Sequence, residues 1–190
     1  MKKIILCLFL FSTLGLTDVQ AQNNKTTTTQ TKPQRPKRAP GTEGPDVHAE
    51  AKLNSPLPDF TLTNLLQKSV TKKDIPEGNT VIFAMFNPGC GHCVDLGKMI
   101  ANLKDSLKTT TVVLMTFQEN FKELTTYVQT TGLEKMAQVH VGIANNQFIL
   151  NHFMPSYTIP QIMFYNKQKK LKKIVYEKIE SKEILQYITL

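Results

Sequence analysis

Residues 80–107 constrain the fold of this chain more than any other stretch. Residues 80–86 form a continuous apolar run, as expected of a strand buried on both faces. The run stops at Asn87, Pro88 and Gly89, and directly beyond it Leu96, Ile100, Leu103 and Leu107 recur at helical spacing. Cys90 and Cys93 therefore fall where a central strand passes into the first turn of a helix. That turn presents unpaired backbone N–H groups and the positive end of the helix dipole, which favour a thiolate over a thiol. Cys90 is the expected nucleophile. Cys93, three residues on and inside the helix, is expected to be more buried and to act as the resolving thiol. His92, between them, is a candidate to tune the pair by partial positive charge or hydrogen bonding, against the plainer reading of a solvent-facing histidine.

The rest of the chain repeats the strand and helix pattern. Residues 59–63 alternate as a strand, with 69–71 as its hairpin partner. Residues 111–117 are a second buried strand, followed by a helix over about 119–130 with Phe121, Leu124 and Val128 on one face and Gly132 as its stop. Residues 139–144 are ambiguous and precede a helical segment near 146–151. Residues 161–165 and 173–177 pair around a lysine-rich turn, and Ser181 is placed to cap a last helix carrying Ile184, Leu185 and Ile188. The expected class is α/β, a central mixed β-sheet flanked by helices, with an N-terminal β-hairpin extension.

The N-terminus has a different character. Lys2 and Lys3 precede an apolar run from Ile4 to Leu16, and Val19, Gln20 and Ala21 supply a cleavage pattern. The run is shorter than the roughly 20 residues a membrane span needs, so residues 1–21 read as a signal peptide removed before Gln22, which makes the protein exported, periplasmic or secreted. An uncleaved anchor and lipidation at Cys7 are the alternatives, but Cys7 lies inside the apolar run. Residues 22–52, rich in Thr, Gln, Lys and Pro, read as a flexible basic tether, and 53–190 as the folded domain.

Removal of the signal peptide takes one of the chain's three cysteines with it, leaving Cys90 and Cys93. A bridge across two intervening residues closes almost no loop, so its stabilising value is small and reactivity explains the pair better. No second C-x-x-C and no paired histidines accompany it, so no metal is expected; His48, His140 and His152 read as structural, and Met85, Met115 and Met163 as core. No cofactor beyond the disulfide itself is implied.

The formal charge of +8 raises the question of a nucleic-acid partner. Five of the positive charges lie within residues 22–50 (Lys25, Lys32, Arg35, Lys37, Arg38) and five around the turn (Lys167, Lys169, Lys170, Lys172, Lys173), without interleaved aromatics. Two solvated segments are the expectation, with no nucleic-acid site.

The Pro58-Asp-Phe-Thr-Leu opening, the buried strand ending in Cys90-Gly-His-Cys93 and the later Tyr157-Thr-Ile-Pro160 occur in an order that resembles the TlpA/ResA-like thioredoxins over roughly 53–190. The resemblance implies a thioredoxin-like fold and thiol-disulfide exchange with protein partners in the cell envelope, reduction being the favoured direction. An exported reductase needs electrons supplied across a membrane, and a membrane-embedded dithiol donor is the expected source. By the same resemblance Pro160 is expected to be cis and to face the pair, with Ile159 offering backbone hydrogen bonds to an extended substrate. Two departures stand out: Gly89 replaces the Trp that thioredoxins usually carry before the first cysteine, and Ala84 occupies the place of their buried Asp. A peroxiredoxin-like peroxidase would need Thr or Ser where Asn87 stands, and a copper-delivering module generally has three residues between its cysteines. A non-catalytic binding module of the same fold is the remaining alternative.

Overall fold

A computed structural model describes residues 52–153 and 158–190. The expected signal peptide, all but the last residue of the expected tether, and Tyr157 lie outside the described residues.

The strands are β1 (Thr61–Asn64), β2 (Ser69–Thr71), β3 (Thr80–Met85), β4 (Thr110–Thr116), β5 (Val139–Ala144), β6 (Gln161–Tyr165) and β7 (Leu171–Tyr176). The α-helices are α1 (Gly91–Asn102), α2 (Leu124–Thr131), α3 (Asn146–Phe153) and α4 (Ser181–Tyr187). The strands form one mixed sheet in the order β2-β1-β5-β4-β3-β6-β7. β5, β4 and β3 run parallel to their neighbours within that trio, and the strands outside it attach antiparallel.

The continuous apolar strands are central because each faces a core on both sides. Along β3, Ile82 and Ala84 join a cluster with Leu96 and Ile100 of α1, Tyr127 and Val128 of α2 and Ile184 of α4. The alternate residues Val81, Phe83 and Met85 join a second cluster with Leu57, Phe60 and Phe153. Phe83 is its aromatic centre, with Phe60, Phe153 and Tyr165 at 5.2, 5.4 and 6.2 Å between ring centroids. Met85, Met115 and Met163 are all buried there.

Four readings are refined by the structure. The stretch at 118–131 is not one α-helix: a 3-10 segment (Gln118–Glu123) precedes α2. Tertiary hydrogen bonds hold that tighter entry, with Gln118 N–H donating to Asn146 Oδ1 at 3.0 Å and the Asn120 amide to Thr116 Oγ1 at 2.7 Å. Gly132 does end α2, at φ +76°. Residues 139–144 are a strand in the interior of the sheet, between β1 and β4, and His140 on it is half-buried.

Ser181 does not cap α4. Glu180 is the N-cap, and its N–H donates to Glu183 Oε2 at 2.9 Å, a carboxylate bond that starts the helix one residue earlier than a serine cap would. The lysine turn is also only partly solvated. Lys167 and Lys170 are exposed, but Lys169 Nζ donates to the carbonyls of Asn79 at 2.6 Å and Pro76 at 3.3 Å, Lys172 Nζ to Asn54 Oδ1 at 2.9 Å, and Lys173 Nζ lies 5.3 Å from the centre of the Tyr187 ring. These lysines fasten the β6-β7 hairpin to its neighbours.

Candidate functional site

The apolar logic of β3 carries the chain to the C-terminal end of this central strand, and polar residues take over there. Phe86 N–H still donates to Met115 O at 3.0 Å. Asn87 then folds the chain back: its Oδ1 accepts from Gly89 N–H at 2.8 Å and its carbonyl from Cys90 N–H at 3.0 Å. Cys90 takes the N-cap of α1 with extended backbone (φ −86°, ψ 124°), and its carbonyl accepts from Cys93 and Val94 N–H, both at 3.0 Å.

The two thiols occupy different surroundings. Both are free; Cys90 is half-buried and Cys93 fully buried among Ala84, Phe86, Leu96 and Ile162. Burial pushes the Cys93 thiol up to about 12, and the neighbouring Cys90 thiol acts in the same direction, against the opposing effect of the Asn87 N–H, which donates to Cys93 Sγ at 3.5 Å. No carboxylate lies on the strand beneath: Ala84 is fully buried and wholly apolar.

Two residues that sequence reasoning did not assign to the site are joined to it. Asn87 shapes the turn and addresses the Cys93 sulfur, and Asn-Pro-Gly before the first cysteine is the signal that could have revealed it. Tyr127 of α2 donates its hydroxyl to Cys93 O at 2.9 Å, and its ring lies 4.4 Å from that of Phe86, centroid to centroid. Burial first, and then the two cysteines, push the tyrosine hydroxyl above its usual range. No local pattern marks Tyr127, because it reaches Cys93 only through the packing of α2 on α1. Gly97 permits that packing: a Cβ there would stand 2.6 Å from Thr131 Cγ2 and 2.8 Å from Tyr127 Oη.

The Ile159–Pro160 peptide is cis. Gln161, the first residue of β6, pairs with Met85, the last of β3, so Ile159 and Pro160 continue past the end of β3 on the side of the sheet from which α1 departs. Ile159 is half-buried, and among the described residues neither its N–H nor its carbonyl has a hydrogen-bond partner. Pro160 is buried, and its carbonyl accepts from Glu177 N–H at 2.9 Å.

His92 is exposed and borders a groove between α1 and the β7-α4 connection. His140 and His152 are remote from the pair in the fold: His140 faces Asp74, and His152 Nδ1 lies 2.8 Å from Phe148 O. Among the described residues, no cluster of three or more His, Cys, Asp or Glu side chains could hold a metal ion, and no helix is long and apolar enough to cross a membrane.

No protein-family model and no curated protein sequence matches the chain. Solved structures do match it in fold. A secreted disulfide oxidoreductase of Mycobacterium tuberculosis homologous to E. coli DsbE shares 14% identity, with 68% of this chain and 94% of that one covered at a TM-score of 0.55. A thiol:disulfide interchange protein of the thioredoxin family from Chlorobium tepidum shares 16%, covering 72% and 94%, at 0.58. A DsbF homologue from Corynebacterium diphtheriae shares 14%, covering 71% and 85%, at 0.59. The chain thus has the thioredoxin fold, and likeness to the TlpA/ResA-like thioredoxins is compatible with these matches.

Proposed function

We propose that the protein is an exported thiol-disulfide oxidoreductase that reduces disulfides of protein partners through Cys90 and Cys93. The observation that carries this reading is the asymmetry of the pair: a half-exposed thiol at the N-cap of α1 and a fully buried one three residues later, its sulfur addressed by a backbone N–H. The matched structures of secreted and Dsb-like oxidoreductases support the same chemistry and the same kind of location.

In the reductive half-cycle the Cys90 thiolate attacks one sulfur of the partner's disulfide, and the other partner sulfur leaves as a thiolate. Cys93, deprotonated, then attacks Cys90 Sγ and expels the second partner thiolate. The partner gains two electrons and the protein ends with a Cys90–Cys93 disulfide, to be reduced in turn by a dithiol donor, which we place in the membrane. Ala84 offers no base, so the Cys93 proton passes to water or to the departing partner thiolate.

The buried position of Cys93 favours this direction. Burial disfavours the Cys93 thiolate, so the reduced state lacks the thiolate stabilisation that makes a pair oxidising, and the pair is poised to give its electrons up. Once ionised, the same sulfur is a strong nucleophile. Ile159, whose backbone groups have no partner among the described residues, is assigned to hold an extended substrate segment against Pro160, and His92 to adjust the potential.

A Cys93→Ser variant tests the reading. Without the resolving thiol, mixed disulfides between Cys90 and partner proteins accumulate and survive non-reducing electrophoresis, and a further Cys90→Ser change abolishes them. Equal recovery of partners from the Cys90→Ser protein would mean that binding does not proceed through exchange.

A further inference from the structure

The groove bordered by His92 has a composition at odds with the rest of the molecule. It encloses about 310 Å³. Leu96, Met99 and Ile179 give it an apolar floor, and its rim carries four carboxylates against the single ammonium of Lys178. The chain as a whole carries +8. Glu180 and Glu183 are partly engaged, the first with Lys182 Nζ at 2.8 Å and the second with Glu180 N–H and Tyr187 Oη. Asp95 and Glu177 are exposed and, among the described residues, their carboxylates have no hydrogen-bond or ion-pair partner.

The groove also adjoins the redox site: one wall is α1, which carries Cys93, and the other is hydrogen-bonded to Pro160 through Glu177. Asp95 and His92 stand on the first turns of α1, on either side of Cys93. Glu177, on the opposite wall, is a non-glycine residue at φ +63°, and its N–H is the donor to the Pro160 carbonyl. Such a conformation costs about 1 kcal/mol or more and persists where surrounding structure fixes it. Here it turns a carboxylate-bearing residue into the groove at the end of the strand that pairs with β6.

Resting on the exchange reading above, we infer that this groove is a specificity subsite that takes a lysine or arginine side chain flanking the substrate cysteine. The aliphatic stem of such a side chain covers the apolar floor while its charged head reaches Asp95 and Glu177, a division of labour that suits long basic side chains and no acidic one. The substrate class is therefore a polypeptide with a basic residue near its disulfide.

The test uses the prereduced full chain and symmetric disulfides of one short peptide whose residue near the cysteine is Lys, Ala or Glu. Formation of the Cys90–Cys93 disulfide is followed by acid quenching, alkylation and mass spectrometry. At low ionic strength the Lys peptide is expected to react about tenfold faster than the Glu peptide, the sum of two or three partly exposed ion pairs. In about 0.5 M salt the ratio falls towards one, and in an Asp95→Asn/Glu177→Gln protein it falls at low salt as well. Equal rates, or faster reaction of the Glu peptide as the overall positive charge alone would produce, overturn the subsite; so does a ratio unchanged in the double variant. Failure of all three peptides to oxidise the pair overturns the exchange reading itself.

Discussion

Cys93 sets the demands on every residue around it. A fully buried sulfur with one long N–H contact and an apolar strand below is held as a thiol, and burial raises it from about 9.0 to about 12. In the unfolded chain the same thiol ionises near its ordinary value, so between about pH 9 and 12 the unfolded state has lost a proton that the folded state keeps. The contribution is whole below pH 9 and is lost as pH rises towards 12, by at most about 1.4 kcal/mol per pH unit. Denaturant unfolding of the reduced protein is expected to show this alkaline decline, and Cys93→Ala to flatten it. An equal slope in both proteins would mean that Cys93 is not the group responsible. Cys90 and Cys93 are legible as a strand-to-helix pair because a strand end and a helix start are local signals, whereas Pro160 enters only through the resemblance to the TlpA/ResA-like thioredoxins. Asn87 is legible as the turn that ends the strand, but its contact with the Cys93 sulfur depends on how that turn folds back over α1.

At the scale of elements, the position of α1 on α2 decides whether the site keeps its shape. Gly97 brings the helices close enough for the Tyr127 hydroxyl to bond Cys93 O, and an added methyl would overlap both Thr131 and Tyr127. Gly97→Ala is therefore expected to destabilise by about 1–3 kcal/mol and to increase the reactivity of Cys93 towards an alkylating reagent, since displacing α2 opens the cover of that sulfur. Thermal unfolding and rates of thiol modification check the two effects; a protein as stable as the parent with Cys93 equally protected would contradict them. The central strands and α1 were legible because their apolar runs and 3.6-residue spacing are local signals. The 3-10 entry to α2 and the fastening of Lys169 and Lys172 were not, because each depends on partners far along the chain: Asn146 for Gln118, Asn79 for Lys169 and Asn54 for Lys172. The cap of α4 escaped for a different reason, since Glu180 and Ser181 are adjacent and both can start a helix.

In the whole molecule, a seven-stranded mixed sheet with a helix-covered face delivers one thiol to the surface and hides the other, and the β6-β7 hairpin brings Pro160 and Glu177 to the same end. Fold class was legible from the alternation of buried strands and helices. The acidic groove was not, because Asp95 and Glu177 are 82 positions apart in a basic chain and meet only through the sheet. Thiol-disulfide exchange requires that Cys90 and Cys93 interconvert as a pair. It is tested most directly by equilibrating the protein across glutathione redox buffers and counting free thiols by alkylation and mass spectrometry. A single two-electron transition that removes both thiols together is expected, at a potential near or below roughly −270 mV, as suits a reductase. Thiols that stay free across the whole range, or that are lost one at a time to glutathione without closing on each other, would contradict it.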